Sequence, residues 1–205
     1  MDPKAHWEDI YTRKPPDTVS WYQLHDDAGL EMLDALQLPA AAPIIDVGAG
    51  ASTFVDDVLM RGFTDVTALD ISLQALDITR QRLGARAHAV RWIQADLTQA
   101  SLPAQSFTLW HDRAVFHFLT SPEQRLAYRR VLRTALRPGG FVIMATFAED
   151  GPTECSTLPV CRYSAHQLAT ELGADFGLEQ SAKVRHHTPR NQTQAFTYCL
   201  FRDLR

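Results

Sequence analysis

The stretch Ile44-Ile-Asp-Val-Gly-Ala-Gly-Ala-Ser-Thr53 ends an apolar run in an acid and two glycines one residue apart. Glycine adopts backbone conformations that a Cβ forbids, so Gly48 and Gly50 make a turn against which a ligand can approach the main chain. Asp70 follows a second apolar run and Asp96 a third. A carboxylate at the first of these places accepts hydrogen bonds from the paired hydroxyls of a ribose. The structural alternative is an acid complementing the dipole of the helix opened by Ser72. Asp96, in Ile93-Gln-Ala-Asp-Leu97, accepts from an exocyclic amine such as that of adenine, or is a solvated loop acid. A fourth run, Leu109-Trp-His-Asp-Arg113, ends in three chemistry-bearing side chains, His111, Asp112 and Arg113. Arg113 pairing with Asp112 is the plain reading of that cluster. His117, among apolar neighbours, reads first as a packed core histidine. In order, these features describe a site for an adenine nucleoside without phosphates. No lysine follows the glycine turn, which excludes a P-loop. Thr53 stands where a dinucleotide fingerprint needs its third glycine.

The elements that must position these groups alternate. The expected strands are Pro43–Gly48, Asp65–Ile71, His88–Ala95, Ser106–His111 and Phe141–Phe147. Between them, helices are predicted over Ser52–Arg61, over Ser72–Leu83, and from the capping box Ser121-Pro-Glu-Gln124 to a point before Pro138-Gly-Gly140. A second capping box, Ser164 to Gln167, opens another helix, and two strands, about 176–186 and 194–202, flank a polar loop as an antiparallel hairpin. Alternation of this kind makes an α/β, doubly wound, mostly parallel sheet covered on both faces. Such sheets place ligands beyond the carboxyl ends of their strands. Upstream, Trp7, Ile10 and Tyr11 share a helical face, and a third capping box, Ser20 to Gln23, is expected to open a helix carrying Trp21, Leu24, Ala28 and Met32. Residues 1–40 are thus expected to form a helical cap and 43–205 the core of a single domain.

Composition narrows the partners. The 205 residues are 45% hydrophobic and 21% charged, with a net charge of −4 and a pI near 6.0. This is an ordinary globular balance with no electrostatic reason to expect nucleic acid. The apolar runs fall short of the roughly 20 residues of a membrane span, and the N-terminus has no apolar stretch of signal-peptide type. Three cysteines, Cys155, Cys161 and Cys199, are an odd count, which suits a reduced, cytoplasmic setting and makes no metal site.

The motifs together resemble the class I, seven-strand S-adenosylmethionine-dependent methyltransferases from about Pro43 onward. Asp46-Val-Gly-Ala-Gly50 is similar to that family's first motif, Ala68-Leu-Asp-Ile-Ser72 to its second, Ala95-Asp-Leu97 to its third, and Leu136-Arg-Pro-Gly-Gly140 to the turn before its fifth strand. The segments His6–Gln23 and Leu109–Leu119 resemble small bacterial methyltransferases related to protein-lysine methyltransferases such as the one acting on citrate synthase. The resemblance implies a Rossmann-like seven-stranded sheet with an antiparallel C-terminal hairpin, and S-adenosylmethionine as cofactor. It also implies that Gly48 and Gly50 face the methionine moiety, with Asp46 near its amino group. Asp70 with Ile71 would hold the ribose, Asp96 with Leu97 the adenine. His111 and Asp112 would line the methyl-transfer site as catalytic groups. Separately from the resemblance, a carboxylate at Asp112 is placed to orient an amine acceptor and receive its proton. Trp21, Tyr22 and Tyr11 are lid candidates. The loop Glu149–Ser164, with Cys155 and Arg162, is expected beside the acceptor, along with His117. The acceptor itself, a small molecule or a protein side chain, is not written in the sequence. A NAD-type oxidoreductase and a non-catalytic nucleoside-binding module are the competing readings.

Overall fold

A computed structural model describes residues Asp2–Arg205. In chain order its main elements are α1 (Pro3–Arg13), α2 (Asp27–Ala35), β1 (Ile44–Val47), α3 (Phe54–Met60), β2 (Val66–Asp70), α4 (Leu73–Leu83), β3 (Val90–Gln94), β4 (Phe107–Arg113), α5 (Pro122–Ala135), β5 (Leu136–Phe147), a two-residue hairpin β6 (Glu154–Cys155) and β7 (Leu158–Pro159), α6 (Ala165–Leu172), β8 (Phe176–His187) and β9 (Thr193–Asp203). Seven strands form one sheet in the order β3-β2-β1-β4-β5-β9-β8. The first five are parallel, and β9 runs antiparallel to both β5 and β8. Among the described residues, no helix is long and apolar enough to cross a membrane.

The strand pleat sorts side chains onto two faces. Ile44, Leu109, Ile143, Phe196, Tyr198 and Leu200 belong to the core under α2, α3 and α4. Their neighbours Ile45, Val47, Trp110, Met144, Cys199 and Phe201 belong to the core under α5 and α6. Both faces being apolar explains why the central strands read as unbroken hydrophobic runs.

Local signals set several boundaries as expected. Ser121 with Gln124 and Ser164 with Gln167 form complete capping boxes at α5 and α6, and Ser72 caps α4 by accepting from the amide of Ala75. Two expectations fail. Residues 20–26 are not helical, and α2 begins only at Asp27. Ser20 and Gln23 therefore cap nothing, and Leu24 stands 65% exposed. The partly buried Arg113 side chain holds this segment in an irregular path, donating to the carbonyl of Trp21 at 3.0 Å and to Oε1 of Gln23 at 3.1 Å. A tertiary contact thus overrides a local capping pattern. In addition, β5 starts at Leu136, taking in the Pro138-Gly-Gly turn at a shift in its pairing with β4.

Candidate functional site

Strand order reverses between β1 and β4, and a cavity of about 490 Å³ opens over that point. On the β2–β3 side it is lined by Asp70, Ile71, Asp96, Leu97 and Thr98. On the β4–β5–β9 side it is lined by Arg113, His117, Phe118, Phe147 and Phe196, with Cys155, Leu158 and Pro159 of the hairpin. Trp7, Tyr11 and Trp21 from the N-terminal segment complete the wall.

The glycine turn is as tight as its residues suggest. Gly48 and Gly50 have φ of +64° and +51°. A Cβ on Gly48 would lie 1.9 Å from Cγ2 of Val115, and one on Gly50 would lie 2.5 Å from the Tyr11 hydroxyl. Asp70 closes the turn, taking the amide of Gly50 on Oδ2 and that of Ser72 on Oδ1, each at 2.8 Å. Burial raises its pKa to about 6 despite those two amides. Asp96 accepts from the amide and hydroxyl of Thr98, at 2.9 and 2.7 Å, and from Nε2 of Gln99 at 3.1 Å.

The cluster His111-Asp112-Arg113 does not act as one group. His111 lies on the α2–α3 face, stacked on Phe54 with ring centroids 3.6 Å apart. Its Nδ1 is 2.7 Å from Oδ1 of Asp46 and its Nε2 is 3.0 Å from Oδ2 of Asp26. All three are almost wholly buried, and neither Asp46 nor His111 lines the cavity. Tyr198 donates to Asp26 at 2.6 Å, and the guanidinium of Arg113 lies 3.9 Å from the same carboxylate. Arg113 also donates to the Tyr198 hydroxyl at 3.0 Å. It makes no pair with Asp112. Two acids and two bases thus share one interior site beneath the glycine turn. Burial opposes the His111 charge, but Asp46 and Asp26 together raise its pKa to about 9. Burial likewise raises Asp26, but His111 and Arg113 outweigh it and hold this carboxyl well below the usual range. Burial keeps the carboxyl of Asp46 above its ordinary value, against the pull of His111.

Asp112 projects from the opposite face. Its Oδ2 accepts from the Tyr128 hydroxyl at 2.6 Å, and its Oδ1 takes the amides of Val115 and Phe116 at 2.9 and 3.4 Å. Trp110 Nε1 in turn donates to Tyr128 at 2.9 Å. The side chain is fully buried and absent from the cavity wall: Oδ1 is engaged in turning β4 into the segment after it, and Oδ2 ties that turn to Tyr128 of α5. Asp112→Asn is accordingly expected to cost about 1–3 kcal/mol of stability, because the amide sets a donor against existing donors. Turnover per folded molecule should stay nearly unchanged. A melting curve and a rate on the same preparation check this, and a stable variant with a hundredfold slower rate would restore the base.

Other candidates separate in the same way. Trp21, Ile71, Leu97, His117 and Cys155 line the cavity; Tyr22 and Arg162 do not. Arg162 is exposed, with a contact to the carbonyl of Gly151 at 3.3 Å. The 149–164 segment is ordered as the β6–β7 hairpin, with Cys155 against the cavity. Burial pushes the Cys155 thiol up to about 11, so it stays protonated and unreactive at neutral pH. Glu8 carries no sequence signal of a role beyond a polar helix position. From α1 its Oε1 takes the amide of Leu73 at 2.8 Å, and its Oε2 takes that of Gln74 at 3.1 Å and the Ser72 hydroxyl at 2.9 Å. It thus ties α1 across the cavity mouth onto the N-terminus of α4. Trp7 packs edge-on against Phe118 and Trp21, at 5.2 and 5.7 Å.

Residues 44–140, which hold the glycine turn, Asp70 and Asp96, match the family model of a methyltransferase domain. That span carries the chain's likeness to the S-adenosylmethionine-dependent class I methyltransferases. It is 26% identical over 161 residues to EEF1A lysine methyltransferase 2 of Danio rerio, covering 70% of this chain and 67% of that protein. It is 21% identical over 136 residues to the eEF1A lysine and N-terminal methyltransferase of Mus musculus, covering 65% of this chain but 19% of that protein. The chain therefore spans about a fifth of the mouse relative's length. In fold it is similar to the 1,6-didemethyltoxoflavin-N1-methyltransferase of Burkholderia thailandensis, with a TM-score of 0.70 and 22% identity over 96% of this chain and 82% of that one. The cofactor of this class is S-adenosylmethionine, and the residues present fit it. The cavity offers a glycine turn that a Cβ would fill, a buried carboxylate beside it, and a second acid on the adjoining wall.

Proposed function

We propose that this protein transfers a methyl group from S-adenosylmethionine to an acceptor held between the aromatic wall and the β6–β7 hairpin. The observation that carries this reading is the Gly48–Asp70–Asp96 arrangement along one side of a single cavity whose other side is aromatic. Asp70 would hold the ribose, Asp96 with Leu97 the adenine, and the amides of the glycine turn the methionine end. When bound, S-adenosylmethionine supplies a methyl group on a sulfonium whose departure leaves a neutral thioether. The protein therefore has no leaving group to protonate. Its contribution is alignment of the acceptor and exclusion of water. Trp7, Tyr11 and Trp21 cover the cavity for that purpose, and residues 2–40 act as a cap over the core. Beneath them, Asp46 and His111 brace β1 against β4 rather than touching reactants.

The likeness to eEF1A lysine methyltransferases favours a protein acceptor, as a second reading. Titration calorimetry with S-adenosylhomocysteine tests the first part of the proposal, and release of that product during incubation with cell extract tests turnover. Tight NADH binding with no response to S-adenosylhomocysteine would end it.

The cap also has a test of its own. Burial disfavours the Glu8 carboxylate, but the amides of Leu73 and Gln74 outweigh this and hold its pKa below the ordinary range. Glu8→Ala removes the clamp between α1 and α4. A lost helix cap costs about 1 kcal/mol, so S-adenosylhomocysteine should dissociate about fivefold faster. Stopped-flow fluorescence of Trp7 and Trp21 measures that rate; an unchanged rate would mean that α1 does not gate the cofactor.

A further inference from the structure

The cavity divides in charge as well as in shape. Its only acidic wall residues among those described are Asp70, which ends β2, and Asp96, which follows β3. Across the reversal of strand order, the wall is made of Trp21, Phe118, Phe147 and Phe196, and its one charged group is Arg113, a cation. An ammonium brought to this half meets no carboxylate on the wall, since the nearest one, Asp26, lies outside the lining and is held by Arg113 at 3.9 Å and by His111. That half also contains one polar atom without a partner. His117 is fully buried, its Nδ1 accepts the amide of Phe147 at 3.2 Å, and its Nε2 has no hydrogen bond. A ring nitrogen that accepts an amide N–H carries the lone pair, so the proton of the neutral ring sits on Nε2. A buried donor without a partner is costly in an apolar wall, and a ligand that supplies an acceptor atom relieves that cost.

Resting on the methyl-transfer reading above, we infer that the acceptor is a flat, uncharged or anionic small molecule, gripped by the aromatic wall and taking the Nε2–H of His117 on an oxygen or ring nitrogen. His117 is then a binding residue and not a base, since its Nε2 already holds its proton and its Nδ1 is committed to Phe147. The burial of the ring, with Arg113 nearby, agrees, holding its pKa down at about 3. The reacting lone pair comes from the acceptor. It forms the bond to the methyl carbon as the carbon–sulfur bond breaks, and that bond's electron pair stays on sulfur. A phenolate-type acceptor arrives without a proton, and a neutral one releases its proton to solvent after transfer. A lysine-type amine, with a reference pKa near 10.4, needs a base that this half of the cavity does not contain.

The test is binding to the protein loaded with S-adenosylhomocysteine, using 4-nitrophenolate as the flat anionic probe and N-acetyl-lysine amide as the cationic one. We expect 4-nitrophenolate to bind at least about tenfold more tightly than the lysine amide. His117→Phe should weaken 4-nitrophenolate by about tenfold, the usual effect of one lost hydrogen bond to a charged group. His117→Gln, which keeps an N–H donor, should stay within about threefold of the wild type. Lysine amide binding as well as the nitrophenolate, no nitrophenolate binding to the loaded protein, or an unaltered affinity in a folded His117→Phe would each overturn the inference. If His117→Phe does not fold, the comparison of the two probes on the wild type decides it alone. Failure of S-adenosylhomocysteine to load is a separate outcome and overturns the methyl-transfer reading itself.

Discussion

Asp26→Ala is expected to lower the free energy of unfolding by about 3–5 kcal/mol, the usual cost of stripping one partner from a buried charge network. Asp26 sits between His111 and the Tyr198–Arg113 pair, and every polar atom of its carboxylate is used: Oδ2 faces Nε2 of His111, and Oδ1 takes the Tyr198 hydroxyl and the Gln23 amide at 2.9 Å. Without it, the buried His111 keeps only Asp46, and Arg113 loses its nearest carboxylate. The same carboxylate explains Gly29, where a Cβ would fall 2.3 Å from Oδ2 of Asp26. Chemical denaturation at pH 7 measures the loss, and a drop under about 1 kcal/mol would show that the network is not balanced as described. Its pH dependence follows in sign. The folded pKa of His111 is raised to about 9, so its contribution is complete below its unfolded value near 6.5 and is lost as pH rises through about 9. Asp26 is lowered, so its contribution is present above its unfolded value near 3.9 and is lost only as pH falls through a lower folded one. The wild type should therefore lose stability on the alkaline side between roughly pH 7 and 9, and Asp26→Ala should lose part of that dependence, since Asp46 still favours the imidazolium.

The second large effect concerns the cofactor. Asp70→Ala is expected to weaken S-adenosylhomocysteine by about 1.5–3 kcal/mol, since hydrogen bonds to a charged acceptor are worth about that much. The corresponding loss in affinity is roughly ten- to a hundredfold. Part of the effect runs through the turn, because Oδ2 of Asp70 holds the amide of Gly50. Melting temperature should move by only a few degrees, as relief from burying a carboxylate offsets the lost amide bonds. With the free-protein pKa raised to about 6 by burial, wild-type affinity should be complete above about pH 7. It should fall by about tenfold for each unit below 6 if the protonated acid does not bind. Calorimetric titrations of both proteins at pH 5 and 7.5 check this. Equal affinities at pH 7.5 would remove Asp70 from the cofactor site.

Much of this architecture was legible in the chain alone. Alternating apolar runs and capped helices specified a parallel sheet, because those signals are local: Ser72, Ser121 and Ser164 reach amides within their own first turn. The glycine turn and the acids at 70 and 96 were legible for the same reason, since their places are the ends of strands and strand ends share one edge of the sheet. Three things were decided only by the tertiary structure. The pleat sends His111 and Asp112 to opposite faces, so residues adjacent in sequence serve separate networks, one under α2 and the other against Tyr128 of α5. Arg113, which the sequence offers as a partner for Asp112, instead reaches into the N-terminal segment and cancels the capping box at Ser20. Asp26 and Glu8 look like ordinary polar helix-end and helix-surface residues. One becomes the centre of a buried charge site, the other the clamp of a cap, through partners 85 and 64 to 66 positions away. Periodicity reports which face of an element turns inward, but not which distant side chain will stand opposite it. That depends on the order of strands in the sheet and on where α1 and α2 come to rest.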